Sequence, residues 1–155
     1  MNKLKFLNLA LIFFLISCGT VPLTGRKQLS VIPESQMITL ANDSYDQVLK
    51  ENELSDNQQY TDRVRRVGNR ISSAVEEYFS TEGMKDQLKG YNWEFNVIQS
   101  DQKNAWCMPG GKIAFYEGIM PICQDDNGVA VVMAHEIAHA IARHGNERMS
   151  QQMSV

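Results

Sequence analysis

The chain has 155 residues, enough for one domain with a buried core and too few for two of ordinary size. Hydrophobic residues make up 43% and charged residues 21%, the proportions of an ordinary globular protein. A formal net charge of -3 with no basic block argues against a nucleic-acid groove and against partners selected by bulk charge.

Residues 1–17 read as a targeting segment outside the fold. Lys3 and Lys5 form a short positive region, and the apolar run from Phe6 to Ile16 is broken only by Asn8. That length suits the core of a secretory signal and is short for a permanent membrane helix. The run ends in Leu15-Ile16-Ser17-Cys18, followed by Gly19, which resembles the lipobox of bacterial lipoproteins. The resemblance implies cleavage before Cys18, lipidation of that cysteine, and a membrane-anchored protein of the bacterial cell envelope facing the periplasm. An ordinary signal peptide with an unmodified cysteine is the competing reading. Export favours disulfides, and Cys107 and Cys123 remain as a possible pair. Their bridge would close a loop of about 15 residues, worth roughly 3 kcal/mol by loop entropy; two free thiols fit the sequence equally well.

Residues 18–33, with Pro22, Gly25 and Pro33, read as an extended tether leading away from the membrane. The domain proper is expected over 34–155. Met37, Leu40, Ala41, Val48 and Leu49 recur at helical spacing from Glu34 onward, and Tyr60, Val64, Val67, Ile71, Val75 and Tyr78 define a stronger helical stripe. Arg63, Arg65, Arg66 and Arg70 lie largely off that stripe, and acidic neighbours favour a solvated face over an anion site. Gly83 and Gly90 bracket one or two helical turns. Strict alternation at Tyr91, Trp93, Phe95 and Val97 then predicts a strand with one buried face. A second strand over Lys103 to Met108 turns at Pro109-Gly110-Gly111 into a third over Lys112 to Tyr116. Asp125, Asp126 and Asn127 offer capping oxygens for a helix beginning near Gly128. Helix, helix, strands and helix in that order predict an α+β domain.

The last helix carries His135-Glu136-Ile137-Ala138-His139. Four residues of spacing place the two histidines about 40° apart on one face, so both imidazoles can reach one zinc ion. Glu136 falls about 100° around the helix, beside the metal, where a carboxylate can take the proton of a zinc-bound water attacking an amide carbonyl. Val129 to Ala134 before the motif and Ala140 to Ala142 after it make the helix apolar all round, which predicts burial. Buried histidines and a glutamate need partners, and a metal satisfies all three. His144 lies nine residues after His135, half a turn away on a continuous helix, and reads as a cation near a helix end or kink at Gly145.

Three segments resemble the HtpX-like and Oma-like zinc metallopeptidases, metallopeptidase family 48, in their bacterial lipoprotein branch. They are Val21-Pro22-Leu23-Thr24-Gly25-Arg26, the stretch Asn104-Ala105-Trp106-Cys107-Met108-Pro109-Gly110-Gly111-Lys112-Ile113, and His135 to Gly145. The resemblance implies a zincin-like domain with one zinc ion held by His135 and His139 and with Glu136 as base. It also implies a substrate-binding strand at Asn104, Ala105, Trp106, Cys107 and Met108, or at Lys112 to Tyr116, which takes an extended peptide as an added strand. The family's third ligand is a glutamate on a later helix. After His139 the sole carboxylate is Glu147, and the polar helical pattern ends without a stop signal, so the chain reads as the N-terminal part of the domain.

Two functions follow from these residues. The first is a lipid-anchored zinc endopeptidase acting on unfolded or damaged envelope polypeptides. The second is a non-catalytic lipoprotein with a binding or chaperone-like role, favoured by the missing third ligand.

Overall fold

A computed structural model describes residues 18–22 and 24–153; the signal segment read from residues 1–17 lies outside them, as does the side chain of Cys18. Two short strands open the described chain, β1 (Cys18–Thr20) and β2 (Lys27–Leu29), paired antiparallel. The helices α1 (Glu34–Glu51) and α2 (Gln58–Thr81) follow, then a 3-10 turn at Lys85–Leu88 between Gly83 and Gly90. The strands β3 (Glu94–Ile98), β4 (Ala105–Met108) and β5 (Lys112–Tyr116) form the main sheet. The short α3 (Met120–Cys123), α4 (Asp126–Ile141) and α5 (His144–Gln152) complete the domain. It is α+β, as the order of periodicities predicts.

Pro109-Gly110-Gly111 makes the turn between β4 and β5, with both glycines at φ above 80°, a region closed to most L residues. Their carbonyls also accept from Asn92 and Glu94, which seats β3 beside β5. The sheet order is β3-β5-β4, with β3 parallel and β4 antiparallel to the central β5. The outer side of β3 is met by residues 53–55, which bond to Val97 of β3 and to Gln99 just after it, while β4 is the opposite edge.

Period-two alternation sorts the sheet's side chains. Phe95, Val97, Ile113 and Phe115 join Val64 and Val67 of α2 and Met133 and Ile137 of α4 in the main core. The other face meets α1, whose Met37, Ile38, Ala41 and Tyr45 are buried. There the Tyr45 hydroxyl donates to the Ile113 carbonyl and accepts from Asn96, and Lys112 pairs with Glu94 at 3.0 Å. Of the α2 arginines, Arg63 and Arg66 pair with Asp126 at the start of α4, so part of that face is a clamp between helices.

The segment read as a tether is extended but folds back. Val21 and Gln28 are buried, the Val31 amide donates to Ser150, and Asn146 donates to the Ile32 carbonyl, so the hairpin docks on α5. Cys107 and Cys123 are free thiols. Cys107 is half-buried on β4, and Cys123 is buried at the end of α3.

Candidate metal centre and peptide cleft

Helix α4 begins under the carboxylate of Asp125, which accepts from the amides of Asn127 at 2.9 Å and Gly128 at 3.0 Å. Those bonds hold the Asp125 carboxyl below its usual range, the Gly128 amide contributing most. Val129, Met133, Ile137, Ala140 and Ile141 form the buried face. The opposite face is open, contrary to the expectation of burial all round: Val131 is 71% exposed, and His135 and His139 are exposed. Desolvation of the histidines therefore does not supply the case for a metal. Their ring geometry does.

The Nε2 atoms of His135 and His139 lie 3.0 Å apart, with ring centroids 4.4 Å apart and planes nearly perpendicular. Two nitrogens at the usual 2.0–2.1 Å from a tetrahedral zinc are separated by about 3.3 Å, so the pair fits two corners after a small side-chain adjustment. Among the described residues no group of three or more His, Cys, Asp or Glu side chains converges on one point. Glu147 is turned aside, gripped by Arg26 of the hairpin through contacts of 2.8 and 2.6 Å. That guanidinium holds the Glu147 carboxyl below its ordinary range.

His144 does not face away. Helix α4 stops at Ala142 because Arg143 adopts φ 58, ψ 32, and α5 then starts at His144, so the break falls two residues before Gly145. The turn brings His144 Nδ1 to 2.6 Å from His139 Nδ1. Burial, with help from His139 and Arg26, holds the His144 imidazole below its ordinary value, which favours the neutral ring. The contact is not legible in the sequence, where the helix reads as unbroken as far as Gly145.

Two depressions flank the histidines. One is a groove of about 860 Å³ between α2 and α4, walled by Val67, Ile71 and Tyr78 on one side and Ala130, Ala134 and Ala138 on the other, with His135 and His139 on its rim. The other is a cleft of about 880 Å³ that runs from Asn104 to Pro109 along β4 to Glu136 and His139. Glu136 is half-buried there, beside Cys107, whose thiol is pushed well up by burial and by the Glu136 carboxylate. Ala105 is buried, while Trp106, Cys107 and Met108 are half-buried. Trp106 is fixed edge-on to Tyr45 at 5.8 Å and its indole N–H donates to Tyr116 at 3.4 Å, and the Asn104 carbonyl accepts from the Tyr116 amide. Of the two strands read as possible rails, Lys112–Tyr116 is hydrogen-bonded on both sides and has no free edge. Among the described residues, β4 is the sheet-edge strand that borders the cleft.

A histidine pair and a glutamate on one helix, set beside the edge strand of a small sheet in an α+β domain, define the zincin-like class of metalloprotease domain. Residues 65–155 match the profile of peptidase family M48, and the chain belongs to that family. The mitochondrial metalloendopeptidase OMA1 of Schizosaccharomyces pombe is 31% identical over 143 residues, which cover 90% of this chain and 39% of that protein. Its Saccharomyces cerevisiae counterpart is 27% identical over 143 residues, 90% of this chain and 41% of its own length. A putative beta-barrel assembly-enhancing protease of Vibrio cholerae is 38% identical over 58 residues, 37% of this chain and 12% of that protein. The chain thus spans about two fifths of the length of the two OMA1 proteins.

Proposed function

We propose that the protein is a zinc-dependent endopeptidase, with His135 and His139 as metal ligands, Glu136 as general base and β4 as the rail that holds an extended substrate. The observation that carries this reading is the convergence of the two Nε2 atoms at 3.0 Å, one end of a cleft whose wall is an open strand edge. Zinc, when bound, polarises the scissile carbonyl and makes water acidic enough to be deprotonated near neutral pH. The remaining work falls to the chain. The main chain of Asn104 to Met108 bonds an extended peptide without regard to its side chains, which suits unfolded or damaged polypeptides. Trp106, pinned by Tyr45 and Tyr116, keeps that edge rigid. Glu136 takes a proton from the attacking water and can return it to the leaving amine.

The third ligand in this reading is the glutamate that the family resemblance assigns to a later helix. We place the protein in the bacterial cell envelope, anchored through a lipid on Cys18, with residues 1–17 removed as the signal; the lipobox-like sequence supports this. A non-catalytic binding role is the second reading, favoured by the lack of a third converging ligand among the described residues.

Incubating the complete gene product with an unfolded polypeptide tests the proposal. Cleavage should stop in excess chelator and return when zinc is restored in stoichiometric amount. Persistent cleavage in chelator, or none at any zinc level, would reject the zinc endopeptidase reading.

A further inference from the structure

We propose that His144 is a positioning residue for the metal pair: it accepts a hydrogen bond from Nδ1–H of His139 and so leaves the His139 Nε2 lone pair free for the ion. This rests on His135 and His139 being metal ligands. An imidazole offers a metal the nitrogen that does not carry hydrogen, and the bond made by the other nitrogen decides which one that is. In this structure His139 is contacted at both ends. Its Nε2 faces His135 Nε2 at 3.0 Å, and its Nδ1 faces His144 Nδ1 at 2.6 Å. Two ring nitrogens at that separation share one hydrogen, so one donates and the other accepts. With the hydrogen on His139 Nδ1, His144 is the acceptor and carries its own hydrogen on Nε2. His144 thus lies on the far side of the His139 ring from His135 and acts on the metal through His139.

The contact is built by the fold. Arg143 in the left-handed region is unfavourable for an L residue with a side chain, and on an unbroken helix His144 would project well away from His139. Arg143 is held in that conformation from outside the helix: Nε lies 3.3 Å from a Glu34 carboxylate oxygen, and a terminal nitrogen donates to Gln87 at 3.0 Å. These anchors come from α1 and from the 3-10 turn before β3. The break then starts α5 with His144 over His139, ring centroids 4.9 Å apart.

The test compares His144→Ala and His144→Gln with the unaltered protein by zinc titration and by nitrogen NMR of the histidine rings in the metal-free state. The unaltered protein should show His139 protonated at Nδ1. His144→Ala should shift the hydrogen toward Nε2 and weaken zinc binding by about 10- to 100-fold, with an unchanged circular dichroism spectrum. His144→Gln, which restores an acceptor oxygen, should recover most of the affinity. Wild-type affinity in His144→Ala, or equal weakening in both variants with no change of tautomer, would overturn the inference while leaving the metal pair intact. If the unaltered protein binds no zinc, the metal-ligand reading falls, and this inference falls with it.

Discussion

Gly128→Ala should destabilise the protein by about 3 kcal/mol, although alanine is the better helix former by about 1 kcal/mol. The added Cβ would lie 1.9 Å from the carbonyl oxygen of Cys123, a main-chain atom that cannot rotate aside. That oxygen already accepts from the Asp125 amide at 2.7 Å across a tight turn at Gln124, whose φ is 64 and ψ -60. The carbonyl of Gln124 is in turn held by Arg63 at 2.7 Å, and Cys123 is buried. Relief therefore requires moving α3 or the first turn of α4, and α4 carries the histidines. Urea unfolding should show a lower midpoint with an unchanged slope. Gly145→Ala is the matched control: its Cβ would meet nothing within 4 Å, so helix propensity alone should act and stability should rise slightly. Equal midpoints for Gly128→Ala and the unaltered protein would show that the α3–α4 junction is looser than its geometry.

Glu136→Gln should lower kcat by about 100- to 10,000-fold, equivalent to roughly 2.7–5.5 kcal/mol in the barrier. The substitution keeps the shape of a half-buried side chain between α4 and β4 and removes its ability to take a proton. Because Glu136 is not one of the two proposed ligands, zinc content should stay the same and KM should change little. Single-turnover cleavage of an unfolded polypeptide by the zinc-loaded complete gene product measures this. An unaltered kcat with normal zinc content would remove Glu136 from the proposed mechanism.

Much of this architecture was legible in the sequence because the signal was local. The stripe through Val64 and Val67, the alternation ending at Val97, and Pro109-Gly110-Gly111 each reflect periodicity or turn chemistry that one segment carries alone. The spacing of His135 and His139 likewise needs only a helix to bring two rings together. What escaped depended on distant partners. The Cys18–Leu29 hairpin contains few apolar residues; its place is fixed by Glu147, which holds Arg26, and by Asn146 and Ser150, which hold Ile32 and Val31 just after it. The helix break was expected at Gly145, the residue best suited to a left-handed turn. It falls instead on Arg143, held by Glu34 and Gln87. A helix that is apolar all round does not reveal which face is covered, so the open side of α4 could be seen only once α2 stood across the groove from it.

In the proposed function, His135 and His139 together hold a zinc ion. The most direct test is zinc content, measured after exhaustive dialysis, of the complete gene product and of its His135→Ala and His139→Ala variants, each checked for unchanged helix content. The unaltered protein should hold about one zinc per chain and either variant little. A zinc-free wild-type protein, or variants that retain the metal in full, would contradict it.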